Sequence, residues 1–397
     1  MDHDLAWLAG PGHKEALFRR REIADLALRA RNSHSRGEAF ASTADYLGRL
    51  SRRTVCITLL AGSGSRWVRS LEAARAAGPE PREEGWRSRG RLFDPERPRG
   101  LFPVRDVLRN PEASRGGDIP IAAFALAAFR GLGRQVIVVR GWEREIDEEI
   151  LVPLGIARGE REFFTQEAPY GKPLGHGDAV WQCRALWKDA DYVMTNFGGD
   201  ASSRRSAASA LLALDALGAS GLPVDLLMPA ASIHGPAYPI ELDDEGLPRS
   251  FGHAKLQGKS TEGGSGYTNV GLRLYRASAL FEAVERFRGD FWVEGEGYAI
   301  PGNEPGGHEF ALDNVDAALA SAGRARILAF AREEELTPAK SLEAVSAFEA
   351  AAASVVAEDT AAEDTVAEDT VAEDTAAEDT AAEDTAAEDT AAEGRAG

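Results

Sequence analysis

The apolar positions of this chain change their spacing several times, and each change marks an element. Over residues 1–50, Leu5, Leu8, Leu17, Ile23, Leu26 and Leu28 are scattered among Arg, Glu and Ala at roughly helical intervals. Gly10-Pro11-Gly12 separates a first helix from a second. This stretch reads as a helical extension packed on the main domain, without chemistry of its own. At Thr54 the pattern becomes a continuous β-rich run, Thr54-Val55-Cys56-Ile57-Thr58-Leu59-Leu60, ended by Ala61-Gly62. That is the pattern of a strand buried on both faces of a parallel sheet. Gln135–Arg140 and Tyr192–Phe197 repeat it, the latter followed by Gly198-Gly199-Asp200. Val224–Met228, Thr268–Tyr275 and Arg326–Ala331 are further strand candidates. Helices are expected over Trp67–Ala77, Ile119–Leu132, Ala179–Trp187, Ser206–Leu217, Ala277–Phe287 and Ala311–Ala322, with Trp181 and Trp187 in the core. The Arg-, Gly- and Pro-rich segment Arg82–Arg99 is expected as a loop. Strand–helix alternation of this kind predicts an α/β sheet with helices on both faces.

The end of the chain follows a different rule. Val356–Thr390 is seven consecutive copies of a pentapeptide, [Val/Ala]-Ala-Glu-Asp-Thr. A period of five matches neither 3.6 nor 2.0 and builds no apolar face. Low hydrophobicity and dense like charge predict a disordered tail, although Ala and Glu individually favour helix. The expected organisation is therefore a helical extension at 1–50, one domain at 51–349 and a tail at 350–397. The tail also changes the meaning of the net charge of −19. Residues 356–397 carry −14 of it, so the rest of the chain is only mildly acidic, at −5. No electrostatic case for a nucleic-acid partner exists.

Cys56 and Cys183 are the only cysteines, which excludes a disulfide framework and a cysteine-based zinc site. Two thiols, an acidic N-terminus without a secretory signal and a longest apolar stretch of only Pro120–Phe129 point to a cytoplasmic protein with no membrane span.

The candidate chemistry begins at Leu60-Ala61-Gly62-Ser63-Gly64-Ser65-Arg66, between the first strand and the next helix. Glycines there let the backbone approach an anion, and amides at the helix start point at phosphate oxygens. Arg66 adds a guanidinium for bidentate contact. A dinucleotide loop would need glycine where Trp67 stands, and a Walker A loop would need Gly-Lys-[Ser/Thr], which is missing. Taken alone, the loop is equally a tight strand–helix turn.

Further segments resemble, in chain order, the nucleotidyltransferase superfamily that joins sugar-1-phosphates to NTPs. Leu60–Arg66 resembles its L-x-G-G-x-G-x-R loop, and Pro98-Arg99-Gly100-Leu101-Phe102-Pro103-Val104 its P-K-x-L-x-P-V segment. Asp118-Ile119-Pro120-Ile121 is similar to the start of the family's next helix. Gly171-Lys172-Pro173-Leu174-Gly175-His176-Gly177-Asp178-Ala179 is similar to the nucleobase-contacting segment, in a form like that of the UDP-sugar pyrophosphorylase branch. Phe197-Gly198-Gly199-Asp200 resembles the metal-binding Gly-Asp, Tyr267-Thr268-Asn269-Val270-Gly271-Leu272 the sugar-contacting strand, and Thr337-Pro338 the closing segment.

The resemblance implies a Rossmann-like three-layer α/β/α nucleotidyltransferase fold (GT-A-like) with a mixed, mostly parallel sheet. It implies Mg²⁺ at Asp200 and catalytic phosphate contacts from Arg66, Arg99 and Lys255. Nucleotide contacts would come from Leu60, Ala61, Gly62, Ser63, Gly64, Gln166, Gly175, His176, Gly177 and Asp178, and sugar contacts from Asn269 and Gly271. The implied reaction is attack by a sugar-1-phosphate on the α-phosphorus of an NTP. Its charge is met by cations and backbone donors rather than by a covalent nucleophile.

Bland readings stand beside these: a strand-end turn for Asp200, a solvated side chain for Lys255, an exposed loop residue for Gln166, and helix capping for Asp313, near Glu309. Arg99 stands where the family has Lys, and Thr337 where it has the second metal ligand, with Glu333, Glu334 and Glu335 alongside. These departures support an alternative: a nucleotide- or sugar-binding regulatory relative with little or no turnover. A glycosyltransferase would want the D-x-D of Asp189-Ala190-Asp191 at the end of a strand, and it precedes one instead.

Overall fold

The computed structural model describes residues 43–61, 65–77, 85–108, 117–219, 221–234, 239–243, 247–251, 265–301, 309–329 and 331–360. The expectations for Gly62, Ser63, Gly64 and Lys255, for residues 1–42 and for 361–397 lie outside these described residues.

In chain order, α1 (Thr43–Ser51) and β1 (Thr54–Leu59) are followed by α2 (Ser65–Ala77), α3 (Gly85–Leu92), β2 (Pro103–Arg105) and β3 (Asp118–Pro120). Then come α4 (Ala122–Ala128), β4 (Arg134–Val139), α5 (Glu143–Ile146), β5 (Arg161–Thr165), α6 (His176–Gln182), β6 (Tyr192–Phe197) and α7 (Arg204–Ala219). The second half runs through β7 (Leu226–His234), β8 (Pro239–Leu242), β9 (Pro248–Phe251), β10 (Ser265–Asn269), β11 (Arg273–Arg276) and α8 (Ala277–Phe291). It ends with the hairpin β12 (Trp292–Val293) and β13 (Gly297–Tyr298), α9 (Leu312–Ser321), β14 (Ala325–Leu328) and α10 (345–360).

Ten of these strands form one mixed sheet in the order β5-β4-β1-β6-β11-β7-β10-β8-β9, with β14 paired to β7. Strands β5, β4, β1 and β6 are mutually parallel, as the unbroken apolar sequences of β4, β1 and β6 predict. Successive side chains of a strand point to opposite faces, and β1 shows where each face goes. Val55 and Ile57 pack with residues of α6, α8 and α9, whereas Cys56 packs with residues of α1 and α7. The architecture is thus α/β and Rossmann-like, with helices on both faces of the sheet. Among the described residues no helix is long and apolar enough to cross a membrane.

Three expectations need correction. Residues Gly85–Leu92, expected within a loop, form α3, because Trp86 is buried and Gly90 lies against Leu342. The expected strand Thr268–Tyr275 is broken. Asn269 lies opposite Ala230 and Leu274 opposite Leu227, so the four residues between them match only two on β7. The extra residues around Gly271 form a bulge, a feature that re-aims side chains beside ligand sites. The tail boundary at 350 also moves. Helix α10 runs on to Thr360, holding Ala351, Ala352 and Val355 in the core, so the first repeat copy belongs to the fold.

Candidate active site

Strands β1 and β6 are neighbours, with Leu59 opposite Phe197. The connection from β1 leads to β4 on one side, and the chain beyond β6 builds the sheet on the other. A crevice at the carboxyl ends of strands where the winding reverses is the place where such sheets bind ligands. Here it is a cleft of about 510 Å³.

The cleft gathers Leu60, Ala61, Arg66, Arg99, Gln166, Gly175, His176, Asp200, Asn269 and Gly271, residues spread over more than two hundred positions of sequence. Gly177 and Asp178 belong to the same α6 but do not line it. Gly177 packs on the ring of Phe310. Asp178 is buried and accepts hydrogen bonds from Tyr298 Oη at 2.8 Å and Gln182 Nε2 at 2.6 Å. Burial raises its carboxyl above the ordinary range, and Tyr298, Gln182 and Arg288 oppose the rise. Its place is structural, away from the expected nucleotide contact.

Asp200 is the centre of the arrangement. Burial pushes its carboxyl up to about 6, against the pull of Arg99, Lys340 and Arg273. Gly271 holds a left-handed φ of 81°, and a Cβ there would run into the Asp200 carboxylate. Glycine is therefore required twice over, for conformation and for space. Asn269 Oδ1 accepts from Gly271 N at 3.0 Å and fixes the bulge. Arg99 lies against the backbone of Gly199, its guanidinium pKa lowered by burial and by Arg66 while Asp200 opposes the shift. Arg66 is exposed at the rim, and the next residue, Trp67, is buried edge-on against Phe102 at 4.9 Å. That ring anchors the start of α2 where a dinucleotide loop would carry glycine.

The segment around Gly175 and His176 is equally organised. Gln166 is buried and donates to Gly175 O at 3.2 Å, which answers the exposed-loop reading of this residue. His176 Nδ1 accepts from Leu312 N at 3.0 Å, so a neutral ring carries its proton on Nε2, facing Asp313 at 3.6 Å. Burial lowers the His176 pKa to about 4, and the ring is neutral at pH 7.

The sequence reading missed Arg273 and Lys340, which also line the cleft. Arg273 is buried, its Nε donating to Asp316 at 2.7 Å and its Nη2 to Asp313 at 2.9 Å. Nη1 has no hydrogen-bond partner among the described residues. Tyr275 Oη donates to the second oxygen of Asp316 at 2.6 Å. Asp313 therefore pairs with Arg273 as well as opening α9. A signal did exist: a charged residue inside an apolar strand pattern, with two carboxylates three residues apart on a later helix. In the closing segment Glu335, Pro338 and Lys340 line the cleft, Glu334 pairs with Arg332, and Ala339 N donates to Gly199 O at 3.1 Å. Among the described residues, no group of three or more His, Cys, Asp or Glu side chains could hold a metal ion.

The sequence matches no model of a known protein family and no curated protein.

Proposed function

We propose that this cleft transfers a nucleotidyl group from an NTP to a sugar-1-phosphate or related phosphate, releasing pyrophosphate, on a GT-A-like nucleotidyltransferase scaffold. One observation carries the reading: the motif residues of the first strand loop, Arg99, the Gly175–His176 turn, Asp200 and the Asn269–Gly271 bulge line a single cleft at the switch between β1 and β6. In the reaction, an oxygen of the sugar phosphate forms a bond to the α-phosphorus as the bond to the bridging oxygen breaks, and pyrophosphate leaves with that electron pair. The negative charge must be met by groups already in place. Arg66 at the rim and the half-buried Arg99 hold the triphosphate, and the lowered dielectric around Arg99 strengthens its field. Gln166 and the backbone at Gly175 face the base. Asn269 and the Gly271 bulge face the sugar, and the unfilled Nη1 of Arg273 provides a donor in that wall. His176, neutral and tied to Leu312, shapes the pocket rather than transferring a proton.

Asp200 is the residue that would hold Mg²⁺. Its pKa of about 6 leaves it ionised at neutral pH, and a lone carboxylate completed by phosphate oxygens and water is a donor set that Mg²⁺ accepts. When bound, the ion neutralises phosphate charge and orients the reacting groups.

The test is to incubate the full chain with each NTP, Mg²⁺ and a panel of sugar-1-phosphates and to measure pyrophosphate. At least one pair should release it, and Asp200→Ala should lower the rate by about a hundredfold or more. Release by no pair, from folded protein, overturns the reading. A second reading, nucleotide binding without turnover, draws on the close approach of Arg99 to the loop carrying Asp200. Thermal stabilisation by an NTP in the absence of pyrophosphate release would favour it.

A further inference from the structure

The seven repeat copies are nearly identical in sequence, yet the first has a defined place. Helix α10 carries it there: Phe348, Ala352 and Val355 are buried on the domain, and the copy at 356–360 continues the helix. Its two acidic residues reach different partners. Asp359 Oδ1 accepts from Ser203 Oγ at 2.8 Å and from Arg205 N at 3.4 Å, and Oδ2 accepts from Arg204 N at 2.8 Å. Arg204 N and Arg205 N are backbone donors in the first turn of α7, where a helix offers no acceptor of its own. Glu358 pairs with Arg332 and lies 3.5 Å from Arg205.

The segment reached in this way runs from Gly199 into the first turn of α7 at Ser206 and contains Asp200. The same C-terminal stretch holds it at two more points. Ala339 N donates to Gly199 O at 3.1 Å, and Ser206 Oγ donates to Glu335 at 3.0 Å. Glu335 in turn accepts from Arg332 N at 3.1 Å, and Arg332 also donates to Ser354 Oγ at 2.6 Å. Residues 332–360 therefore grip the Asp200 loop at its beginning, middle and end, with Arg332 joining the grips.

We infer that Glu358 and Asp359 of the first repeat copy are positioning residues for Asp200: they strap the 199–206 segment to the closing segment and so hold the carboxylate at the cleft. The first copy is thereby part of the active-site frame, and the copies after Thr360 are not needed for it. The turnover part of the test below rests on the nucleotidyl-transfer reading, whereas the exchange part does not.

The experiment compares the full chain with Glu358→Ala/Asp359→Ala, with Asp359→Asn, and with chains ending after Thr360 and after Val355. Alanine favours helix, so the double variant keeps α10 while removing the strap. Asparagine keeps an oxygen acceptor for the α7 amides. Amide hydrogen exchange, read without substrate, should rise about tenfold or more at 199–206 in the double variant and in the chain ending after Val355. It should stay near the parent rate in Asp359→Asn and in the chain ending after Thr360, with Tyr192–Phe197 protected throughout. In turnover, the double variant should lose about tenfold or more in kcat with the KM for NTP changed less than about twofold, because misplacing a reacting group costs rate rather than binding. Unchanged exchange at 199–206 in the double variant overturns the inference. So does an equal rise across Tyr192–Phe197, which would mean general loosening. If the chain ending after Val355 fails to fold, the double variant decides, and if no substrate pair turns over, the exchange pattern still decides.

Discussion

Single residues at the cleft are constrained by space and charge together. At Gly271 a side chain would need a left-handed backbone and would press on Asp200. Gly271→Ala should therefore destabilise the fold by about 1–2 kcal/mol in urea unfolding and also weaken NTP binding, whereas a purely conformational effect would leave binding intact. Protonation gives a second residue-scale test. The folded pKa of Asp200 is raised to about 6, so between about pH 4 and 6 the folded protein keeps a proton that the unfolded chain has released. Its contribution to stability falls as pH rises through that window. Asp316, also near 6, acts in the same direction, whereas His176, lowered to about 4, makes stability rise with pH over the same range. Asp200→Asn removes only the first of these. In metal-free buffer, its Tm relative to the parent should climb from pH 4 to pH 7, and a difference independent of pH would refute the burial of this carboxyl. Asp200 and Gly271 were legible in sequence because Gly-Asp after a strand and Asn-x-Gly inside one are local patterns. Arg273 was not, because its meaning depends on Asp313 and Asp316, some forty residues away.

Elements were legible in proportion to how far their own residues decide them. Strands β1, β4 and β6 are unbroken apolar runs, and their bounds follow from the sequence to within a residue or so. Helix α3 is rich in Arg and Gly and has no strong local preference for helix; burial of Trp86 and contact with Leu342 make it. Edge strand β5, Arg161–Thr165, is partly exposed and offers no continuous apolar run. Long-range pairing also joins elements. Arg273 and Asp316 tie β11 to α9 with both side chains almost fully buried. Asp316→Ala would leave that guanidinium short of a partner and should cost about 3–5 kcal/mol in urea unfolding. Replacing both, as Arg273→Met with Asp316→Leu, should cost less, and equal losses would show that packing rather than charge ties the two elements.

At the scale of the whole molecule, charge is divided unevenly. Ending the chain after Thr360 removes −12 of the −19 and leaves a domain of −7. An anionic tail repels an anionic substrate over about one Debye length, roughly 10 Å at 0.1 M salt. The shortened chain should bind a nucleoside triphosphate severalfold more tightly at low ionic strength, and the difference should vanish near 1 M salt; a salt-independent difference would point to direct contact instead. The sequence by itself determined the alternation of strand and helix, the parallel centre of the sheet and the short motifs, because each rests on neighbours in the chain. Only the tertiary structure decided which motifs meet. It brought Asp200, Arg99 and Gly271 together and turned Asp178 inward to Tyr298. It also supplied Arg273 and gave the first repeat copy its contacts with α7. No local pattern distinguishes that copy. Its place is fixed by the buried face of the helix before it and by the open amides at the start of α7.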